Sequence, residues 1–219
     1  MEDKYCLKEG ALTIQDKELG IAIHLPYTPQ LIPKGEALLP GLVVKKNEAG
    51  WVEQAHFEIN GLFEGECLSY DSDGAIQSQC YYNQGKLHGP SRFFSQAGRP
   101  LSETWYAEGK KQGKVRRWFL SGKLASVERY KDGALHGRQE FYEETGLLKT
   151  ELYYQNGQLE GKATLFWPDG TKKRVLSFHQ GKRVGWDRMW NVKGTLIYKE
   201  QHNEGVEMTL LHPQKGTLA

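Results

Sequence analysis

The sequence predicts an all-β chain: an elongated antiparallel sheet or open roll of stacked β-hairpins that repeat every 24 residues. Three observations predict it. Glycines recur at a fixed step of 24 along three columns: Gly61, 85, 109, 133, 157, 181 and 205; Gly65, 89, 113, 137, 161 and 185; Gly74, 98, 122, 146, 170 and 194. These hold 19 of the 25 glycines with no insertion or deletion, so the unit is copied rather than composed afresh. Two aromatic columns keep the same step. Tyr70, Phe94, Trp118, Tyr142, Phe166 and Trp190 form the first, and Tyr82, Tyr106, Tyr130, Tyr154 and Phe178, ending in His202, form the second. Finally, 11% aromatic residues and 25 glycines against three methionines favour short strands and tight turns over helices.

Residues 1–56 are expected to form an N-terminal cap with a decayed repeat. Gly41 and Gly50 fall on the second and third glycine columns, but Ala37 and Lys46 stand where a glycine and an aromatic are due. "ALTIQDKELGIAIHLPYTPQLIP" reads as two strands and a proline-bounded loop. Residues 57–205 are six hairpin repeats. In each, a stretch such as "GPSRFFSQAG" and another such as "RPLSETWYAEG" read as two short strands. "DSDG", "SQAG", "LSG", "ETG" and "PDG" are turns whose final glycine takes positive φ. "NQGKLHG" is the return turn. Residues 206–219 are a partial repeat or cap, since the ends of such arrays depart from consensus.

A glycine every four to eleven residues would break any helix. Each hairpin should advance the sheet by roughly 9.6 Å, two strand spacings. One hairpin buries too little to stand alone, so stability must come from stacked neighbours, with the aromatic columns as the expected rungs. Strand alternation puts the third residue after each second-column glycine on the face of the first aromatic column: Leu68, Arg92, Arg116, Glu140, Thr164 and Arg188. The opposite face mixes apolar residues (Cys67, Phe93, Val115, Phe141, Ala163, Leu165, Met189) with Ser, Gln and Arg, so neither side reads as cleanly polar.

Net charge is +2, which gives no indication of nucleic acid as a partner. Residues 1–56 carry 6 basic and 8 acidic side chains, and the remainder 23 and 19, a mild tilt. Cys6, Cys67 and Cys80 have neither disulfide-framework nor zinc spacing. They fit a reducing, cytoplasmic setting. The first twenty residues lack the basic and apolar regions of a Sec-type signal, which leaves export as an effector by another route open. No apolar run approaches the ~18 residues of a membrane-spanning helix.

"YYNQGKLHGPSRFFSQAG", "YKDGALHGRQEFYEETG" and "YYQNGQLEGKATLFWPDG" resemble the variant MORN repeat (the MORN_2 type), found in bacterial proteins of the YwqK-type, antitoxin-like family. The similarity spans about 57–205. It implies stacked β-hairpins, protein scaffolding, and in some members binding to anionic phospholipid.

Candidate chemistry is sparse. His88 and His136 both sit in "LHG", but Glu64, Gln112, Glu160 and Val184 occupy the equivalent places, so local hydrogen bonding in a turn is the expected role. Cys67 and Cys80 flank the "DSDG" turn and could face each other as a redox pair or as two buried thiols. No nucleophile elbow, P-loop or dinucleotide fingerprint is present. The expectation is therefore no enzyme, no cofactor and no metal. Basic residues gather as Lys110, Lys111, Lys114, Arg116 and Arg117, and as Lys172, Lys173, Arg174, Lys182, Arg183 and Arg188. The expected function is a non-enzymatic scaffold holding a protein partner, with an anionic membrane as the alternative. The expected contact residues are Arg92, Phe94, Arg116, Trp118, Arg188 and Trp190, because aromatic and arginine side chains anchor such faces.

Overall fold

The computed structural model describes residues 5–8, 11–16, 21–25 and 41–202. The partial repeat expected over 206–219, Gly205 and much of the expected cap lie outside them. Among the described residues there is no helix. The chain divides into two compact units: residues up to Ala125 with Tyr130–Gly133, and Ser126–Arg129 with the residues from Ala134 onward.

In the first unit, β1 (Tyr5–Lys8), β2 (Ala11–Asp16) and β3 (Ile21–Leu25) form a three-stranded antiparallel sheet. The backbone of β3 lies against β5 and β6 of the repeat sheet. That sheet contains β4 (Gly41–Lys46), β5 (Val52–Ile59), β6 (Leu62–Tyr70), β7 (Ile76–Asn83), β8 (Lys86–Leu87) and β9 (Gly89–Phe94). It continues through β10 (Pro100–Ala107), β11 (Lys110–Lys111) and β12 (Gly113–Trp118). β13 (Leu124–Lys131) is divided between the units. The second unit holds β14 (Ala134–Leu135), β15 (Gly137–Tyr142), β16 (Leu148–Gln155), β17 (Gln158–Leu159) and β18 (Gly161–Phe166). β19 (Lys172–His179), β20 (Lys182–Trp190) and β21 (Leu196–His202) complete it. In each unit the pairing is antiparallel and runs in chain order, so each sheet is an open series of hairpins.

Two turns alternate, and glycine decides both. At Ser95–Gly98 the Gly98 N–H donates to the Ser95 carbonyl (2.8 Å) and the Ser95 N–H to the Arg99 carbonyl (2.8 Å), with Gly98 at φ 71°. The left-handed residue closing the turn matches the strand twist, and the register slips between Pro100 and Ser102. The third glycine column repeats this turn throughout. Asn47, Asp71 and Asn191 reinforce it, each Oδ1 accepting from the N–H groups two and four residues on. The turn Asn47–Gly50 joins β4 to β5, so the decayed repeat is a hairpin of the same kind.

The return turn is tighter. Asn83 faces Lys86 across a two-residue loop, and both loop residues have positive φ, Gln84 at 49° and Gly85 at 76°. This mirror-image turn follows the natural strand twist. Asn60, Glu108, Asp132, Asn156 and Gln180 take the same left-handed conformation ahead of their glycines. The signal stood in the sequence as Asn-Gly and Asp-Gly pairs, which the sequence reading did not use. Five of these turns also bond to the previous one. The Gly85 N–H donates to the Phe63 carbonyl at 2.8 Å, and Gly109, Gly133, Gly157 and Gly181 do the same to Leu87, Lys111, Leu135 and Leu159.

The most regular part of the core is one row of side chains, with Ala55, Leu68 and Val127 buried on the opposite face. The second residue after each second-column glycine is buried in all six repeats: Val115 and Asp187 are 0% exposed, Gln139 1%, Ala163 3%, Ser91 4% and Cys67 5%. Its cross-strand partners are His56 and Cys80 beside Cys67, Thr104 beside Ser91, Leu152 beside Gln139, and Leu176 beside Ala163. In the second unit Ala163, Leu176 and Phe178 form a cluster joined by Leu152, Leu159 and Leu165. The buried Gln139 is satisfied by backbone: Oε1 accepts from the Arg129 N–H (2.7 Å) and Nε2 donates to the Arg129 and Gly137 carbonyls.

One expectation needs correcting. The rings of the first aromatic column are half-buried but do not stack on one another in either unit. The reason is geometric: rings one repeat apart sit two strands apart, about 9.6 Å, beyond the ~4.5–7 Å range of ring pairs. The ring contacts instead join adjacent strands, His56 on Phe63 at 4.0 Å and Phe63 on Tyr82 at 5.1 Å.

Candidate partner-binding face

The face opposite the buried row carries a second row, set by strand register. In the first unit Ala55, Leu68, Gln79, Arg92, Glu103 and Arg116 stand side by side, each directly opposite the next. In the second unit the row is Val127, Glu140, Glu151, Thr164, Val175, Arg188 and Lys199. The row stays in line because the return turn is followed by a two-residue slip. Tyr82 faces Leu87, but Gln79 faces Arg92. The second glycine column sits in that slip, under the side chain of a neighbouring strand: a Cβ on Gly89 would lie 3.5 Å from Tyr81.

The carboxylates in the row are matched within the chain. Glu103 accepts from Arg92 Nε at 3.0 Å and from Arg116 Nη1 at 2.9 Å, so one carboxylate bridges two guanidiniums. Glu140 and Glu151, two acids directly opposite, are bridged by Arg138, which pairs with Glu140 at 3.0 Å and also with Glu151, while Arg129 reaches Glu140 at 2.9 Å. Burial works to raise the Glu140 carboxyl, but hydrogen bonds from Arg129 and Tyr142 outweigh it and hold the group below the usual carboxylate range. At the start of the face the buried Glu66 accepts from Gln79 Nε2 (2.5 Å) and Tyr81 Oη (3.0 Å).

The expected contact residues sort out as follows. Arg92 and Arg116 flank Glu103 and are already paired. Phe94, Trp118 and Trp190 are half-buried at strand ends, and the Trp190 carbonyl accepts from Trp167 Nε1 at 3.1 Å. Arg188 is exposed, 5.8 Å from the Trp186 ring. The structure brings Arg92 and Arg116 together, and places Arg188 in the other unit. Of the basic clusters, Arg174 and Arg183 serve the fully buried Asp187, Arg174 through two bonds of 2.8 and 2.6 Å and Arg183 at 3.3 Å. Lys111 lies over Tyr130 and Lys173 over Trp167.

Sequence reasoning missed the more exposed aromatics of this face, Trp105 (45%), Tyr153 (39%) and Trp186 (37%). Tyr81, Trp105 and Tyr153 share a column at the 24-residue step that Arg129 interrupts, a signal weaker than the invariant columns. It missed Glu103 and Lys199 because cross-strand partners depend on the register shifts at the turns.

The histidines of "LHG" are turn elements. His136 Nδ1 accepts from the Asn156 N–H at 3.5 Å, as Glu64 does from Gln84, Gln112 from Asp132 and Glu160 from Gln180. Cys67 and Cys80 do face each other. Burial, then the neighbouring Cys80, pushes the Cys67 thiol up to about 11, and burial also raises Cys80. Both are protonated and poorly nucleophilic near neutral pH. Among the described residues no group of His, Cys, Asp and Glu could hold a metal ion, and no helix is long and apolar enough to cross a membrane.

No curated protein matches the chain. The family profile of the MORN repeat variant matches residues 63–84, 111–132, 135–156 and 148–166. Those segments span β6–β7, β11–β13 and β14–β18. Over them the chain is similar to MORN-variant repeats, whose hairpin architecture it shares.

Proposed function

We propose that the chain is a non-catalytic repeat scaffold that holds a protein partner on the face bearing the charged row. The observation that supports it is the contrast between the faces within each unit: one buries most of its central row, while the other offers exposed aromatics, Trp105 in the first unit and Tyr153 and Trp186 in the second, beside arginines and carboxylates held in ion pairs. Rigid aromatic anchors beside pre-oriented charges are what a specific interface needs. MORN-type repeats, which the chain resembles, serve as scaffolds in protein or membrane interactions. The antitoxin-like role implied by the YwqK-type resemblance makes that partner a toxin, and the thiols fit action in the cytoplasm.

The test is capture of partners from the native organism, followed by rebinding of each captured protein in purified form. Trp105→Ala and Trp186→Ala should each weaken rebinding about tenfold or more. Rebinding indifferent to both would remove this face from the reading. The alternative, attachment to anionic phospholipid, is favoured by the cations beside Trp186 and Trp167. It predicts flotation with phosphoinositide vesicles that is reversed by high salt.

A further inference from the structure

We propose that Trp186, Arg188 and Lys199 form a docking site for an acidic segment of the protein partner, an inference that rests on the scaffold reading above and deepens it. Arg188 on β20 and Lys199 on β21 are directly opposite, so two cations share one face as direct cross-strand neighbours. Like charges in that arrangement repel. Elsewhere in the row the chain resolves such conflicts itself: Glu103 sits between Arg92 and Arg116, and Arg138 between Glu140 and Glu151. Among the described residues no carboxylate pairs with Arg188 or Lys199. The nearest acids in sequence, Asp187 and Glu200, belong to the opposite face. There Asp187 is held by Arg174 and Arg183, and Glu200 meets His202 at 3.4 Å.

Both cations instead lean on one indole. Lys199 Nζ is 4.1 Å from the Trp186 ring centroid and the Arg188 guanidinium carbon 5.8 Å. All three side chains are exposed. A partner carboxylate between Arg188 and Lys199 would do for them what Glu103 does for Arg92 and Arg116, while the indole offers an apolar plane to the residue beside it. That internal precedent is a carboxylate, which selects an acidic protein segment as the occupant.

The probe is fluorescein-labelled hexaglutamate, titrated with the full chain at low ionic strength and read by anisotropy. Arg188→Glu combined with Lys199→Glu should weaken binding about tenfold or more. Lys123→Glu combined with Lys131→Glu, an equal change of net charge at exposed positions, should stay within about twofold. Lys199→Glu alone should raise the thermal midpoint, because it turns the repulsive pair into an ion pair, yet weaken the peptide. A structural role for Lys199 would lower both. Equal weakening by the two double variants, no peptide binding by the unmodified chain, or a lowered midpoint in Lys199→Glu would overturn the proposal. So would binding to phosphatidylserine vesicles, but not to peptide, that depends on Arg188 and Lys199. If a captured partner loses affinity with Trp105→Ala but binds the Arg188→Glu, Lys199→Glu variant normally, this site is wrong and the scaffold reading survives. If no captured protein rebinds at all, the scaffold reading itself fails.

Discussion

At the scale of single residues, the positions that matter are those whose backbone or burial leaves few choices. Gln180 occupies a left-handed conformation (φ 49°) that costs a glutamine more than an asparagine. Cys67 shows the same logic in its titration. Its folded value lies near 11 against an ordinary 9.0, so the folded state holds this proton more tightly than the unfolded chain. The resulting stabilisation is complete below pH 9 and is lost as pH rises from 9 to about 11, a change on the order of 2 kcal/mol. Urea denaturation followed across that range should show the midpoint falling, and Cys67→Ala should flatten the fall. A pH-independent midpoint would mean the thiol is not confined as described. That the two thiols face each other was legible beforehand; the depth of their burial was not. The sequence places the two cysteines either side of a turn, but burial depends on which alternate column the sheet turns inward. The mixture of small and polar residues in that column (Cys, Ser, Val, Gln, Ala, Asp) gives no hydrophobic signal.

At the scale of strands and hairpins the sequence was far more informative, because a fixed period of glycines dictates turn positions whatever lies between them. The third-column turns, the paired strands and the absence of helix among the described residues all follow from it. The expected ring-on-ring rungs do not, since a step of one repeat spans two strands. Cross-strand partners also escaped, because the slip after each return turn shifts the pairing by two residues. The clearest energetic consequence lies between β19 and β20. Asp187 is fully buried and balanced by Arg174 and Arg183. Asp187→Asn should therefore cost roughly 3 kcal/mol, as removal of one member of a buried ion pair does. Chemical denaturation monitored by the tryptophans of the second unit, Trp167, Trp186 and Trp190, would reveal it. A loss below about 1 kcal/mol would show that water reaches the carboxylate.

For the molecule as a whole, the decisive property is that copies are interchangeable in length. Each hairpin bonds to its neighbours through the same backbone positions, so stability adds up from units and interfaces between nearest neighbours. Removing residues 85–108, one full period, rejoins Gln84 to Gly109 and restores every column. That shortened chain should keep a β-type circular dichroism spectrum and cooperative unfolding. Removing half as many residues, 85–96, should abolish both, because it puts inward columns on the outer face. If the two deletions behave alike, the period is not the folding unit. Function was the least legible level: the resemblance named a class of scaffold, while the exposed aromatics proposed as anchors emerged only when the strands were set side by side.

The chain of contacts from Gly85 to Phe63, and its counterparts down to Gly181, runs across the repeats at the return turns, apart from the strand ladders. Solvent deuterium should therefore reach those five glycine amides slowly although they sit at loop tips, where exchange is ordinarily fast. The rim of each unit is in this respect as firmly tied as its middle, and a binding surface laid over it would have little backbone freedom to lose.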